Sequence, residues 1–261
     1  MLLFTPSASF AQAARGAQPQ AAPPPAPSNL QILPKTTSRQ DVVAIMQGFT
    51  QALGVQCVFC HERPPAPPPL AVGAEPAGGG RRGQGPPQPN FAADTNPRKK
   101  TARVMMTMVN ELNAKLASGL GKPAADTVRV ECVTCHRGVA LPRQLTDLLW
   151  ETMTTKGDSA AAEQYRALRQ QYFGTQAYDF SERVLVSLAQ RSLAASKIDD
   201  ASAFLQLNLE FYPKSSSTYV TLSQLHLKKN DTETAIKDLE MAVQLDPGNA
   251  QARRQLDELK K

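Results

Sequence analysis

Apolar residues recur at helical spacing in two stretches of the first half of the chain and almost throughout its last hundred or so residues. In "TTSRQDVVAIMQGFTQALGV", residues 36–55, Val42, Ile45, Met46, Phe49 and Leu53 fall on one face of a helix. Ser38 is placed as its N-cap, Asp41 sits at the capping-box position, and Gly54 marks the turn that ends it. The second stretch, "KKTARVMMTMVNELNAKLASG", puts Val104, Met105, Met108, Val109, Leu112 and Leu116 on one face and Met106 off it. It is expected to end at Gly119 or Gly121, ahead of Pro123. Between the two lies "ERPPAPPPLAVGAEPAGGGRRGQGPPQPN", which has no apolar periodicity and too little hydrophobic mass to offset the entropy of ordering it, so disorder is expected there.

Beyond Pro142 the chain becomes helix-forming and poor in proline. "STYVTLSQLHLKKNDTETAIKDLEMAVQLDPGNAQA" resembles a tetratricopeptide repeat, with Tyr219, Leu222, Ala235, Leu239, Ala242 and Pro247 on that repeat's characteristic positions. The thirty-four-residue step from Pro213 to Pro247 matches the repeat's period and implies a weaker copy from about Ser181 to Pro213. A further helix, Ala250 to Lys260, would cap the stack. His226 stands where the repeat usually has an aromatic and reads as a packing residue between helices; Trp150 likewise reads as core.

The chain has 261 residues, 41% of them hydrophobic, with 21 prolines and 15 glycines crowded into a few places. One domain with an appendage is the expected organisation. No run of eighteen apolar residues is present, so no segment is expected to cross a membrane as a helix. The start, "MLLFTPSASFAQAARG", carries the small-residue pattern Ala11-Gln12-Ala13 of a secretory signal, with cleavage expected after Ala13. It lacks a positive n-region, so more residues are expected upstream. The proline-rich "AQPQAAPPPAPSN" that follows reads as a tether. Residues 1–145 hold 15 Lys and Arg against 7 Asp and Glu, a net of +8, and residues 146–261 hold 14 against 16, a net of −2. Arg81, Arg82, Arg98, Lys99, Lys100 and Arg103 contribute much of the excess, either as a solvated loop or as a docking surface for an acidic partner. Nucleic acid is set aside, because no stacking aromatics are interleaved with these cations.

All four cysteines sit in two near-identical pentapeptides, "CVFCH" at 57–61 and "CVTCH" at 132–136. Zinc and disulfides are the competing readings of paired cysteines, but neither needs a histidine directly after each pair. In Cys-x-x-Cys-His the thiols add across two haem vinyl groups and the adjacent imidazole becomes the proximal iron ligand. Cys57, Cys60, Cys132 and Cys135 are therefore the expected thioether residues, and His61 and His136 the expected iron ligands of two haem c groups. Of three histidines only His226 remains, so methionine is the expected sixth ligand, one that raises the reduction potential. Met46 lies eleven residues before Cys57, and periodicity leaves Met105 and Met108 as candidates for the second site.

With these motifs in place, residues 29–143 resemble the cytochrome c subunit of photosynthetic reaction centres, whose members usually carry four haems. "MQGFTQALGVQCVFCH" is similar to that family's methionine helix and first type of haem segment, and "ARVMMTMVNELN" with "VECVTCHRG" is similar to another. The resemblance implies Met46 as sixth ligand of the haem on His61 and Met105 for the haem on His136. It also sets Arg137-Gly138 on the family's Arg-Gly, with Arg137 as a partner for a propionate. The chain departs from the pattern in having two motifs, a longer spacer from Met105 to Cys132, and the Pro/Gly-rich insert.

The expected architecture is all-α. A signal remnant and tether over 1–28 precede a dihaem domain over 29–145 with little regular structure outside short helices; its insert spans 62–97, and tetratricopeptide-like repeats occupy 146–261. The expected function is periplasmic single-electron transfer without catalysis, membrane association being compatible with it. The partners are redox proteins such as a membrane-bound reaction centre or a respiratory complex, and the repeats supply protein contact. The competing reading is a peroxidase-like haem enzyme with one open iron site.

Overall fold

The computed structural model describes residues 26–62, 89–121 and 123–261. The signal-like start, most of the tether, Arg81 and Arg82, and nearly all of the insert lie outside the described residues. The described residues are helical, joined by turns and one isolated antiparallel bridge between Glu62 and Asn90. In that bridge the Asn90 amide donates to the Glu62 carbonyl at 3.1 Å, so the two edges of the insert are tied together.

Two helices belong to the amino-terminal part. α1 runs Arg39–Leu53; the Ser38 hydroxyl accepts from the Asp41 amide at 3.1 Å, and Gly54 closes it in the left-handed region at φ 65°. α2 runs Pro97–Leu120, with Asn96 as N-cap, Pro97 in the first turn and Gly121 as the left-handed C-cap. The second pentapeptide is itself a short helix, α3 (Cys132–His136), whereas the first forms a 3-10 turn over Cys57–Phe59.

The remaining helices form antiparallel pairs. α4 (Leu145–Lys156) pairs with α5 (Asp158–Tyr172), α6 (Glu182–Ala194) with α7 (Ile198–Phe211), and α8 (Ser216–Lys228) with α9 (Thr232–Leu245). α10 (Ala250–Leu259) lies on α9. The first helices of successive pairs, α4, α6 and α8, touch one another along the stack. α6, α8 and α10 begin at 182, 216 and 250, and α7 and α9 at 198 and 232, so the period read from the prolines is the structural period. The pair α4–α5 lies in the stretch assigned to repeats, 146–261, ahead of the two copies delineated from the prolines. Its helices begin 37 and 40 residues before their counterparts, and its connection is the single residue Gly157 at φ 89°.

The core lies between these pairs. Leu149, Tyr165, Leu185, Leu188, Phe204, Leu205 and Leu225 form one continuous cluster, and Val220, Leu239, Ala242 and Ala252 a second. Polar bonds cross the stack, the Asn208 amide donating to the Thr218 hydroxyl at 2.6 Å and the Ser216 hydroxyl to the Ala242 carbonyl at 2.8 Å, while the Asn208 side-chain oxygen and the Ser192 hydroxyl are buried without a partner among the described residues. Arg169 stacks over Phe173 at 4.0 Å and Phe211 at 4.7 Å while donating to the Phe180 carbonyl. Trp150 packs against the main cluster, as read, and carries the Arg191 guanidinium on its ring at 3.9 Å. His226 departs from the packing expectation. Its Nδ1 meets the Asp238 carboxylate at 2.6 Å, so it ties α8 to α9 by a polar bond, because the position is only half-buried.

Phe204 is wholly enclosed, so Phe204→Ala is expected to cost about 3–5 kcal/mol, measured by urea unfolding of the helical signal. Burial also raises the Tyr165 phenol to about 12. The folded state thus prefers the neutral ring, and stability is unaffected below about pH 10 but falls as pH climbs from there toward 12. Tyr165→Phe is expected to flatten that alkaline edge in denaturation curves collected from pH 9 to 12.

Candidate functional site

The two Cys-x-x-Cys-His segments are held by each other's helices. At the end of α1 the Ala52 carbonyl accepts the Gly138 amide at 2.8 Å, and α1 packs on α3. A Cβ on Gly54 would stand 2.0 Å from the Gly138 carbonyl oxygen, so only glycine lets the turn before the first motif meet the turn after the second. Arg137 and Gly138 both take positive φ, 49° and 90°, to make that turn. Conversely, the first motif rests on the start of α2. Asn96 Nδ2 and an Arg98 guanidinium nitrogen both donate to the Phe59 carbonyl, at 3.1 and 3.3 Å, and the Arg98 guanidinium lies 4.0 Å from the centre of the Phe59 ring.

The two motif histidines have different surroundings. His136 Nδ1 donates to the Val139 carbonyl at 3.0 Å, which keeps the proton on that nitrogen and presents Nε2 as the free ligand atom. His61 packs edge-on against Phe91 with ring centres 5.0 Å apart; its Nδ1 is buried with no partner among the described residues. Burial, assisted by the Lys99 charge, lowers the His61 pKa, and burial raises the Cys60 and Cys132 thiols. The segment leading into the second motif is clamped by Asn113, whose side-chain amide donates to the Val130 carbonyl and whose oxygen accepts the Val130 amide, both at 2.8 Å.

The α2 face read from periodicity as one apolar stripe divides in two. Met106, Val109, Asn113 and Leu116 are half-buried, with Asn113 fixing the helix rotation against residue 130. Val104, Met105, Met108 and Leu112 face outward, Met105 and Met108 at 39% and 43% exposure. Met46 is half-buried on α1. Arg137 is exposed and its side chain turns back to the Thr134 carbonyl at 3.4 Å. Of the cations noted in sequence, Lys99 and Arg103 are paired with Asp94, at 3.3 and 2.5 Å.

These residues fit covalently held haem. The four thiols are unpaired, so each is free to form a thioether. The amino-terminal part is also short of core: its buried apolar side chains among the described residues are Leu30, Ala52 and Val139, while Val58, Phe91, Val104, Leu112 and Val133 stand in the open beside the motifs. Such a surface suits a large apolar group tethered at the cysteines. Cys135 opens into a cleft of about 530 Å³ whose far wall, with Tyr178 and Asp179, belongs to the helical repeats.

The family model of the photosynthetic reaction centre cytochrome C subunit matches residues 83–241, a span that holds Met105, the second motif, helices α2 to α8 and most of α9. This chain belongs to that family. Membership makes it a cytochrome c of the reaction-centre type and implies haem c, electron transport and protein partners. The first motif lies ahead of the matched span. No curated protein matches the chain. Among solved structures it is similar to the second tetratricopeptide domain of human RPAP3 in complex with an HSP70 peptide, at 19% identity over 45% of this chain and 93% of that one, TM-score 0.32. It is also similar to the Yersinia enterocolitica type III secretion chaperone SycD in complex with a YopD peptide, at 15% identity over 44% and 89%, TM-score 0.31. The repeat assignment rests on the helix pairs and their thirty-four-residue step.

Asn96, Arg98, Asn113 and the Gly54–Gly138 contact were not foreseen as part of the site. Asn96-Pro97 is a legible helix start, but what a cap residue's second bond reaches thirty-seven residues away is set only by the fold. Gly54→Ala is expected to destabilise the amino-terminal part by more than about 2 kcal/mol and to lower haem content, combining a positive-φ penalty with a backbone collision. Gly48→Ala, inside the same helix with open space around it, should instead stabilise by about 0.5–1 kcal/mol, both read by chemical denaturation.

Proposed function

We propose that the protein is an exported dihaem c-type cytochrome that passes single electrons between protein partners, and that it is not an enzyme. The observation that carries this reading is the doubled unit, a methionine helix followed by Cys-x-x-Cys-His, whose two copies interlock at Gly54 and Gly138. In this reading Cys57 and Cys60 hold one haem with His61 and Met46, and Cys132 and Cys135 hold the other with His136 and Met105, Met108 being the alternative one turn on. When bound, each haem supplies a one-electron iron couple.

The chain's own residues do the rest. The Val139 carbonyl holds the His136 proton on Nδ1 and so leaves Nε2 as the atom that would bind the iron. Asn113 holds the entry to the second motif, and Asn96 with Arg98 the middle of the first. Held geometry of this kind keeps ligand rearrangement small on gain or loss of an electron. Attachment of haem to Cys-x-x-Cys-His outside the cytoplasm, together with the Ala11-Gln12-Ala13 pattern, supports a periplasmic location. The repeats support docking to a partner complex, photosynthetic or respiratory.

An optical redox titration of the holoprotein tests the proposal. Two haems per chain, a near-infrared methionine-to-iron band for each, and no carbon monoxide binding on reduction are the expected results. A high-spin haem that binds carbon monoxide readily would overturn the carrier role in favour of a haem enzyme.

A further inference from the structure

We infer that Asn113 is a positioning residue for iron ligation at the second haem: it clamps the entry of the second motif onto α2 and so holds that motif alongside the stretch of helix that carries Met105 and Met108. The inference rests on the dihaem reading above.

The chain reaches the second motif through a spacer that packs on little. Residues 123–131 hold one 3-10 turn, Ala124–Asp126, closed on the Pro123 carbonyl, and Val128 is 77% exposed. Among the described residues, the hydrogen bonds that tie this spacer to any helix but the motif's own are the two between Asn113 and Val130, each 2.8 Å. A side-chain amide supplies a donor and an acceptor at once, so one residue grips both backbone groups of Val130 and fixes its register along α2. An apolar side chain at this position would give contact without register. Val130 stands two residues ahead of Cys132, so the grip passes directly to the motif.

The far end of the motif is fixed as well. Gly138 bonds the Ala52 carbonyl and meets Gly54, and the chain leaving Gly54 reaches Phe59, which Asn96 and Arg98 hold at the start of α2. The second motif is therefore slung between the level of residue 113 and, through the Gly54 turn, the level of residue 96. At about 1.5 Å per residue, Met108 stands about 7.5 Å and Met105 about 12 Å along α2 from Asn113, both between those levels. The same residue sets the rotation. Met106, Val109, Asn113 and Leu116 form the half-buried stripe, and Met105 and Met108 come out beside it. A thioether is a weak ligand, and a ligand set works only when it is held to within about 0.5 Å, which a spacer without the clamp would not provide.

The test combines near-infrared absorption and carbon monoxide binding of the full-length holoprotein and its variants, with amide hydrogen exchange at Val130 reporting the clamp itself. Asn113→Ala should lose protection at Val130, lose one of the two methionine-to-iron bands, and bind one carbon monoxide per chain on reduction where the unaltered protein binds none. The surviving band should be the one that Met46→Leu removes. Asn113→Asp still accepts the Val130 amide but cannot donate to its carbonyl, so it should give the same change in part; if Asn113→Ala does not fold, Asn113→Asp decides by the same readouts. Leu116→Ala loosens the same face of α2 without breaking the clamp, and it should lower the unfolding midpoint while leaving both bands in place. Survival of both bands in Asn113→Ala, an equal loss in Leu116→Ala, or loss of the first motif's band overturns the inference and leaves the dihaem carrier standing. Fewer than two haems, or carbon monoxide binding by the unaltered protein, overturns the reading beneath it.

Discussion

The amino-terminal part depends on one backbone contact, the meeting of Gly54 with Gly138. Eighty-four residues apart in sequence, these turns approach until no Cβ fits between them, and the Ala52–Gly138 hydrogen bond fixes their register. Among the described residues neither Cys-x-x-Cys-His segment has an apolar interior of its own, since Leu30, Ala52 and Val139 are a very small core for this much chain. What orders the segments is therefore polar and reciprocal. The first motif is braced by the start of the second methionine helix, the second by the end of the first. Haem, where it is attached, would complete a core that the peptide only outlines.

The helical repeats have the opposite economy. Their stability lies in interdigitated leucines and the enclosed rings of Tyr165 and Phe204, with a few matched polar bonds inside, so they need no ligand to fold. The stack reaches back to the second motif, since Tyr178 and Asp179 share a cleft with Cys135. The family match likewise runs from ahead of α2 into α9, residues 83–241. The repeats thus form one wall of the cleft at the second motif.

Much of this was legible in the sequence. Ser38 and Gly54 bound the first helix because capping and positive-φ chemistry are local, and the proline step of thirty-four gave the pitch of α6 to α10 because the repeat is local too. The pair α4–α5 fell within the stretch assigned to repeats but was not delineated as a copy, because its spacing is irregular and its link is one glycine. His226 read as packing because sequence could not bring Asp238 across the helix pair to it. The face of α2 was misjudged for a related reason. Periodicity weighs only apolar side chains, whereas the rotation of this helix is set by Asn113, a polar residue bonded twice to residue 130.

That rotation matters for ligand choice. With Asn113 inward, Met106 turns toward the protein, while Val104, Met105, Met108 and Leu112 form a separate outward line. Met105 and Met108 lie three residues apart on that line, close to one helical turn, so both remain on the side a tethered porphyrin could cover. The family resemblance favours Met105; the helix geometry is satisfied by either. The distinction between them is one of height along α2, and it is governed by how far the spacer from residue 121 to residue 131 lets the second motif climb that helix before Asn113 stops it at Val130.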